Sequence, residues 1–193
     1  YWLYRHPVVL FGIGPLHMMI LQRFKWRETL ATGRKQLWNV WMTNIALLGV
    51  IFILGWTLGW KMVLLVYFPA YYLAAAGGIG LFYVQHQFEE AYWERGKSWD
   101  YATAAVTGSS HLKMPGILNW FTGHIGLHHV HHLGPKIPNY RLKQAHEENE
   151  VFQTAPVLTI WSALKTLRLT LWDEQGQRMI GFREYRRLRR VTA

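Results

Sequence analysis

No cysteine occurs among the 193 residues. That absence excludes a disulfide framework, a thiolate-ligated zinc or iron–sulfur centre and a thiol nucleophile in this chain. The ten histidines are left as the side chains suited to transition-metal chemistry. Acidic residues are scarce, 11 against 21 Lys and Arg, for a formal charge of +10. Charge of either sign is almost missing from Gln36 to Gln85, where Lys61 stands alone. A water-soluble domain rarely leaves so long a stretch uncharged, so the pattern predicts residence in a bilayer. No secretory signal peptide is expected from the opening residues, which show no charged segment followed by an apolar one and a cleavage site. The first residue, Tyr1, leads to the expectation that further sequence precedes it.

The uncharged stretch divides into two runs, Val40 to Trp60 and Met62 to Val84. At about 1.5 Å rise per residue each spans the roughly 30 Å hydrocarbon core as a helix. Gly59, Trp60 and Lys61 form a linker short enough to make the pair a transmembrane helical hairpin. Arg23, Lys25, Arg27, Arg34 and Lys35 precede it against Glu28 alone, while the tip carries only Lys61. The positive-inside rule then places both flanks in the cytoplasm. Trp38, Trp41, Trp56, Trp60, Tyr67 and Tyr83 lie toward the ends of the runs, as an interfacial aromatic belt does. A hairpin buried in a large soluble protein is the competing reading. Pro7 to Gln22 is apolar but shorter, contains Gly12, Gly14 and Pro15, and reads as an interfacial segment.

Fourteen of the 21 basic and ten of the 11 acidic residues follow Val84, so this part faces water. Amphipathic helices are predicted over 86–106 and 155–172, with breaks at Gly108 to Ser110, Pro115–Gly116 and Gly134 to Pro138. The expected fold is all-α: an interfacial segment and basic linker over 1–39, two membrane helices over 40–84, a cytoplasmic helical cap over 85–175 and a basic tail over 176–193. The tail sets Arg178, Arg183, Arg186, Arg187, Arg189 and Arg190 against Glu184. Anionic membrane lipids are its expected partner, and nucleic acid is not, because no nucleic-acid-binding fold accompanies the arginines.

Five histidines fall within nine positions at His124, His128, His129, His131 and His132. On a continuous helix His124, His128, His131 and His132 share one arc of roughly 100°, whereas His129 points to its edge and acts either as a donor behind the ligands or in packing. Neutral imidazole ligates iron, copper, nickel or zinc, and its second nitrogen usually donates to a carboxylate or carbonyl. His86 ends the second apolar run, with Glu89 and Glu90 at i+3 and i+4 on a continuing helix, so Glu89 is a candidate to orient it. His146-Glu147-Glu148-Asn149-Glu150 lacks the second histidine of a zincin, and no GxSxG elbow is present. His6, His111 and His146 read as surface residues. Trp93, Trp99, Trp120 and Phe121 either line an acyl tunnel or simply pack.

His128-x-x-His131-His132, the stretch VQHQFEEAYW and the string FTGHIGLHHVHHLGPKIPNYRLKQAHEEN together resemble the integral-membrane fatty acid desaturases, the bacterial acyl-lipid, ω-6-like type above all. The resemblance implies four transmembrane helices under a cytoplasmic cap, and three histidine boxes plus one further histidine holding two irons. It assigns His86, His128, His131 and His132 as ligands. At the position of His124 relatives more often carry Asn, which leaves that residue a direct ligand, a water-mediated one or a neighbour. The earlier HxxxH and HxxHH boxes do not occur here, so the chain resembles the C-terminal portion of such an enzyme and is expected to be inactive alone. O2 as co-substrate, a fatty acyl lipid substrate, an electron donor such as ferredoxin or cytochrome b5, and a bacterial inner-membrane location are implied likewise. A hydroxylase or ketolase of the same superfamily and a non-catalytic histidine-rich metal-binding protein are the alternatives.

Overall fold

A computed structural model describes residues 3, 5–20, 23 and 33–191, the last by its backbone alone. Lys25, Arg27 and Glu28 of the basic linker lie outside the described residues. The chain divides into two compact units, Tyr1–Gly80 and Leu81–Ala193.

In the first unit α1 (Pro7–Ile20) and α2 (Arg34–Leu58) precede the start of α3 (Trp60–His86). α2 and α3 are 25 and 27 residues long and apolar enough to cross a membrane. Leu48, Ile53 and Leu64 are 63%, 59% and 65% exposed within this chain. Apolar faces left uncovered in this way suit an apolar solvent. The break between α2 and α3 is at Gly59, whose φ of 88° suits a residue without Cβ. At this turn the Trp60 ring lies over Gly55 and meets Phe52 edge-on, with centroids 6.1 Å apart. A π-type stretch, Val63–Tyr67, interrupts the first turns of α3. The Tyr72 hydroxyl donates to the Gly12 carbonyl at 2.8 Å, tying α1 to α3.

The second unit holds the end of α3 and a set of short elements. These are α4 (Tyr101–Thr107), β1 (His111–Lys113), α5 (Gly116–Phe121), α6 (His128–Leu133), α7 (Leu142–Glu148), β2 (Val157–Thr159), α8 (Ile160–Thr166), β3 (Leu171–Asp173), β4 (Arg178–Ile180) and α9 (Phe182–Val191). β1 and β2 pair in parallel, His111 with Val157 through Lys113 with Thr159. Everything from α5 to α7 is therefore the crossover between them. β3 and β4 form an antiparallel hairpin. The core gathers Val106, Leu127, Val130, Leu142, Phe152 and Ala155, with Val130 of α6 wholly buried. Burying such a side chain contributes about 1.5–3 kcal/mol, which seats α6 although six residues alone do not sustain a helix.

The long helices expected over 86–106 and 155–172 are not formed. α3 ends at His86, and after a 3-10 turn at Gly96–Ser98 the backbone resumes an α-helix where Asp100 caps α4 by accepting from the Thr103 amide at 2.7 Å. Gly96, with φ of 63°, breaks the segment between. Over 155–172 the β-branched Val157 and Thr159 extend into β2, and the Thr159–Ser162 capping box starts α8 only after them. The basic tail is likewise structured, as β4 and α9, and Arg178 is ion-paired with Glu89 and Glu184.

Candidate metal centre

Three of the candidate ligands converge. His132 Nε2 stands 3.0 Å from His86 Nε2 and 3.1 Å from His128 Nε2, and the ligand atoms of all three lie within 4.8 Å of one another. The i, i+4 spacing on α6 stacks His128 over His132, and α3 delivers His86 as its last residue. His86 Nδ1 lies 2.7 Å from the Phe82 carbonyl, which fixes the proton on Nδ1 and turns the Nε2 lone pair to the site. A ring nitrogen holds either one proton or one lone pair, so His132 Nε2 cannot bond well to two nitrogen neighbours at once. A cation taking a lone pair from each ring resolves that conflict, and three imidazoles suit iron or zinc. The donor set fits a metal.

Burial, then the neighbouring His86, His132, His131 and His129 rings, pushes His128 from 6.5 down to about 3. His132 is lowered by burial and by His86 and His131. Both are neutral near pH 7, the state that ligates.

Gln85 was not singled out by the sequence, although a carboxamide inside an apolar helix just before His86 was a signal. Its side chain is completely buried. Its Nε2 donates to the Ile125 carbonyl at 2.8 Å, and the Gln85 backbone carbonyl accepts from the Ser110 amide at 3.0 Å. Those bonds hold the end of α3 against the segment that enters α6. Gln85→Leu keeps the bulk but orphans the Ile125 carbonyl, so it is expected to cost about 1–3 kcal/mol in chemical unfolding. Metal affinity at the triad should fall with it in a cobalt titration.

The remaining candidates are placed differently. His124 lies before α6 in a left-handed backbone conformation, φ 58°, so the shared arc on one helix is not realised and the ring is not brought to the triad. His131 is half-buried on α6, its ring centroid 5.8 Å from His128 and 6.1 Å from His132. Glu89 does not orient His86, because α3 has ended; its carboxylate accepts from Arg178 at 2.7 Å. Trp93, Trp99, Trp120 and Phe121 are all exposed. His129 is wholly buried, its Nε2 3.0 Å from His146 Nδ1. His111 packs on both, at centroid distances of 5.6 and 4.8 Å. His111 and His146, read from the sequence as solitary surface residues, are half-buried and packed together with His129 of α6.

The sequence profile described as Fatty acid desaturase matches residues 1–163. The chain belongs to the fatty acid desaturase family. A fatty acid desaturase of Bacillus subtilis (strain 168) is 41% identical over 184 residues, covering 95% of this chain and 51% of that protein. A chloroplastic omega-6 fatty acid desaturase of Arabidopsis thaliana is 25% identical over 172 residues, 82% of this chain and 38% of the plant protein. An sn-1 acyl-lipid omega-3 desaturase (ferredoxin) of Nostoc sp. (strain 36) is 32% identical over 114 residues, 57% of this chain and 31% of its own. This desaturase-family chain thus spans about half or less of the length of these relatives. No solved structure matches it.

Proposed function

We propose that this chain supplies part of the iron site of an oxygen-dependent fatty acyl desaturase, which inserts a cis double bond in lipid metabolism. The observation that carries the reading is the convergence of His86, His128 and His132 through Nε2 atoms 3.0 and 3.1 Å apart, in a chain of this family. These three and His131 are the proposed ligands, and histidines beyond this chain complete the set for two irons. Iron so held, fed with O2 and electrons, supplies an oxidant strong enough to take hydrogen from an unactivated methylene. The protein's own share is placement: Phe82 sets the His86 tautomer, Gln85 fixes the end of α3, and α6 holds two donors in register.

Because His86 is the last residue of an apolar helix long enough to span a bilayer, the site is proposed to meet an acyl chain from the membrane side. A soluble electron donor, such as the ferredoxin named for the Nostoc relative or cytochrome b5, approaches from the water side. A bacterial inner membrane with the cap cytoplasmic is the proposed setting. The arginines of α9 are proposed to rest on anionic headgroups.

Fatty acid profiling tests the reading in cells expressing either the encoding gene or these 193 residues alone. The gene is expected to raise a cis-unsaturated product by mass spectrometry, and the chain alone to bind iron without yielding one. Hydroxylated or keto lipids in place of the unsaturated product reassign it to oxygen insertion. Iron uptake by the gene product with unchanged lipids makes it a metal-binding protein.

A further inference from the structure

The ring nitrogens of His111, His129 and His146 have no part in the triad. Successive residues on a helix diverge by about 100°, so α6 shows His128 to the triad and His129 to another side. There His129 Nε2 and His146 Nδ1 stand 3.0 Å apart, the same separation that the triad's own nitrogens keep. The His111 ring closes the group, with its centroid 4.8 Å from that of His146 and 5.6 Å from that of His129. Two donor nitrogens are in place, and the His111 ring packs beside them. Among the described residues no carboxylate hydrogen-bonds or ion-pairs with these rings; Glu147 is paired with Lys143.

We propose that His111, His129 and His146 form a second metal site, separate from the triad, for a zinc-like divalent cation with water in the fourth position.

Two features support it. Three imidazoles with an open fourth position are a common donor set for a borderline cation. The donors also sit on β1, α6 and α7, elements of three, six and seven residues. None of these is stable alone, and a metal bound across them converts binding energy into folding energy. The inference does not depend on the desaturase reading, since the second set shares no ligand with the first.

The test uses the chain in lipid nanodiscs, purified through a tag free of histidine, in a His86→Ala, His132→Ala background that removes the triad. Titrated with Co2+, this background is expected to bind one equivalent and to develop the visible absorption of a tetrahedral site. Zn2+ is expected to displace the Co2+ and to raise the midpoint of thermal unfolding. Adding His146→Gln is expected to abolish both the absorption and the Zn2+-induced shift. His111→Gln on the strand gives the same reading should the His146 variant fail to fold. A background that takes up no Co2+, or one that still takes it up with either glutamine variant in place, overturns the proposal and leaves a hydrogen-bonded histidine cluster.

Discussion

His132→Ala is expected to lower the affinity of the triad for Co2+ or Fe2+ by more than about 100-fold while leaving the fold intact. Its Nε2 is the middle donor, 3.0 Å from one partner and 3.1 Å from the other, so its removal leaves two nitrogens that no longer share a neighbour. Removing a group that merely orients a ligand costs about 10–100-fold, and loss of the ligand itself exceeds that. His132 is exposed, so the truncation opens no cavity, and the Tyr101 hydroxyl bonds to its backbone carbonyl, which the variant retains. Metal-free unfolding should therefore shift by no more than about 0.5 kcal/mol. A paired metal titration and denaturant melt separate the two effects. A large loss of stability with affinity unchanged assigns His132 to packing instead. In the full gene product the same variant is expected to abolish the unsaturated lipid.

Gly126→Ala is expected to destabilise the second unit strongly for a single added methyl group. A Cβ there would lie 2.5 Å from the Leu112 carbonyl oxygen and 3.0 Å from the Met114 methyl. The nearest obstacle is backbone, which cannot swing aside. β1 must move off the segment that leads into α6 and strain the Leu112 amide bond to the Gly126 carbonyl, now 2.8 Å. Overpacking plus a weakened hydrogen bond amount to about 2–4 kcal/mol. Gly116→Ala is the control, because a methyl group at that position meets nothing within 4 Å. Unfolding of the two variants side by side measures the difference. Equal stabilities would remove the close approach of β1 from the account of how α6 is placed.

The sequence was most informative where a local period decides the outcome. The charge-free runs anticipated α2 and α3, and the turn between them falls at Gly59 because only that residue of the linker takes φ of 88° easily. The i, i+4 pair His128 and His132 was legible for the same reason, since one helical turn and nothing else aligns them. Periodicity failed for His124 because the helix starts four residues later, after a left-handed turn that no pattern of apolar residues marks. Distant pairings were not legible. Glu89 looked free to serve His86 until Arg178, 89 positions on, claimed its carboxylate. His111 and His146 looked solitary because the pairing of β1 with β2 that folds them together is set by tertiary packing rather than by spacing.

That parallel pairing also dictates an order of events. Every histidine of both groups is synthesised before Val157–Thr159, yet until those three residues emerge β1 is paired only by the single bridge of His111 with Leu127. Closing so wide a loop is slow compared with forming a helix turn. The nascent chain thus displays its imidazoles loosely for a time, and the arrival of β2 marks the moment at which they acquire fixed positions.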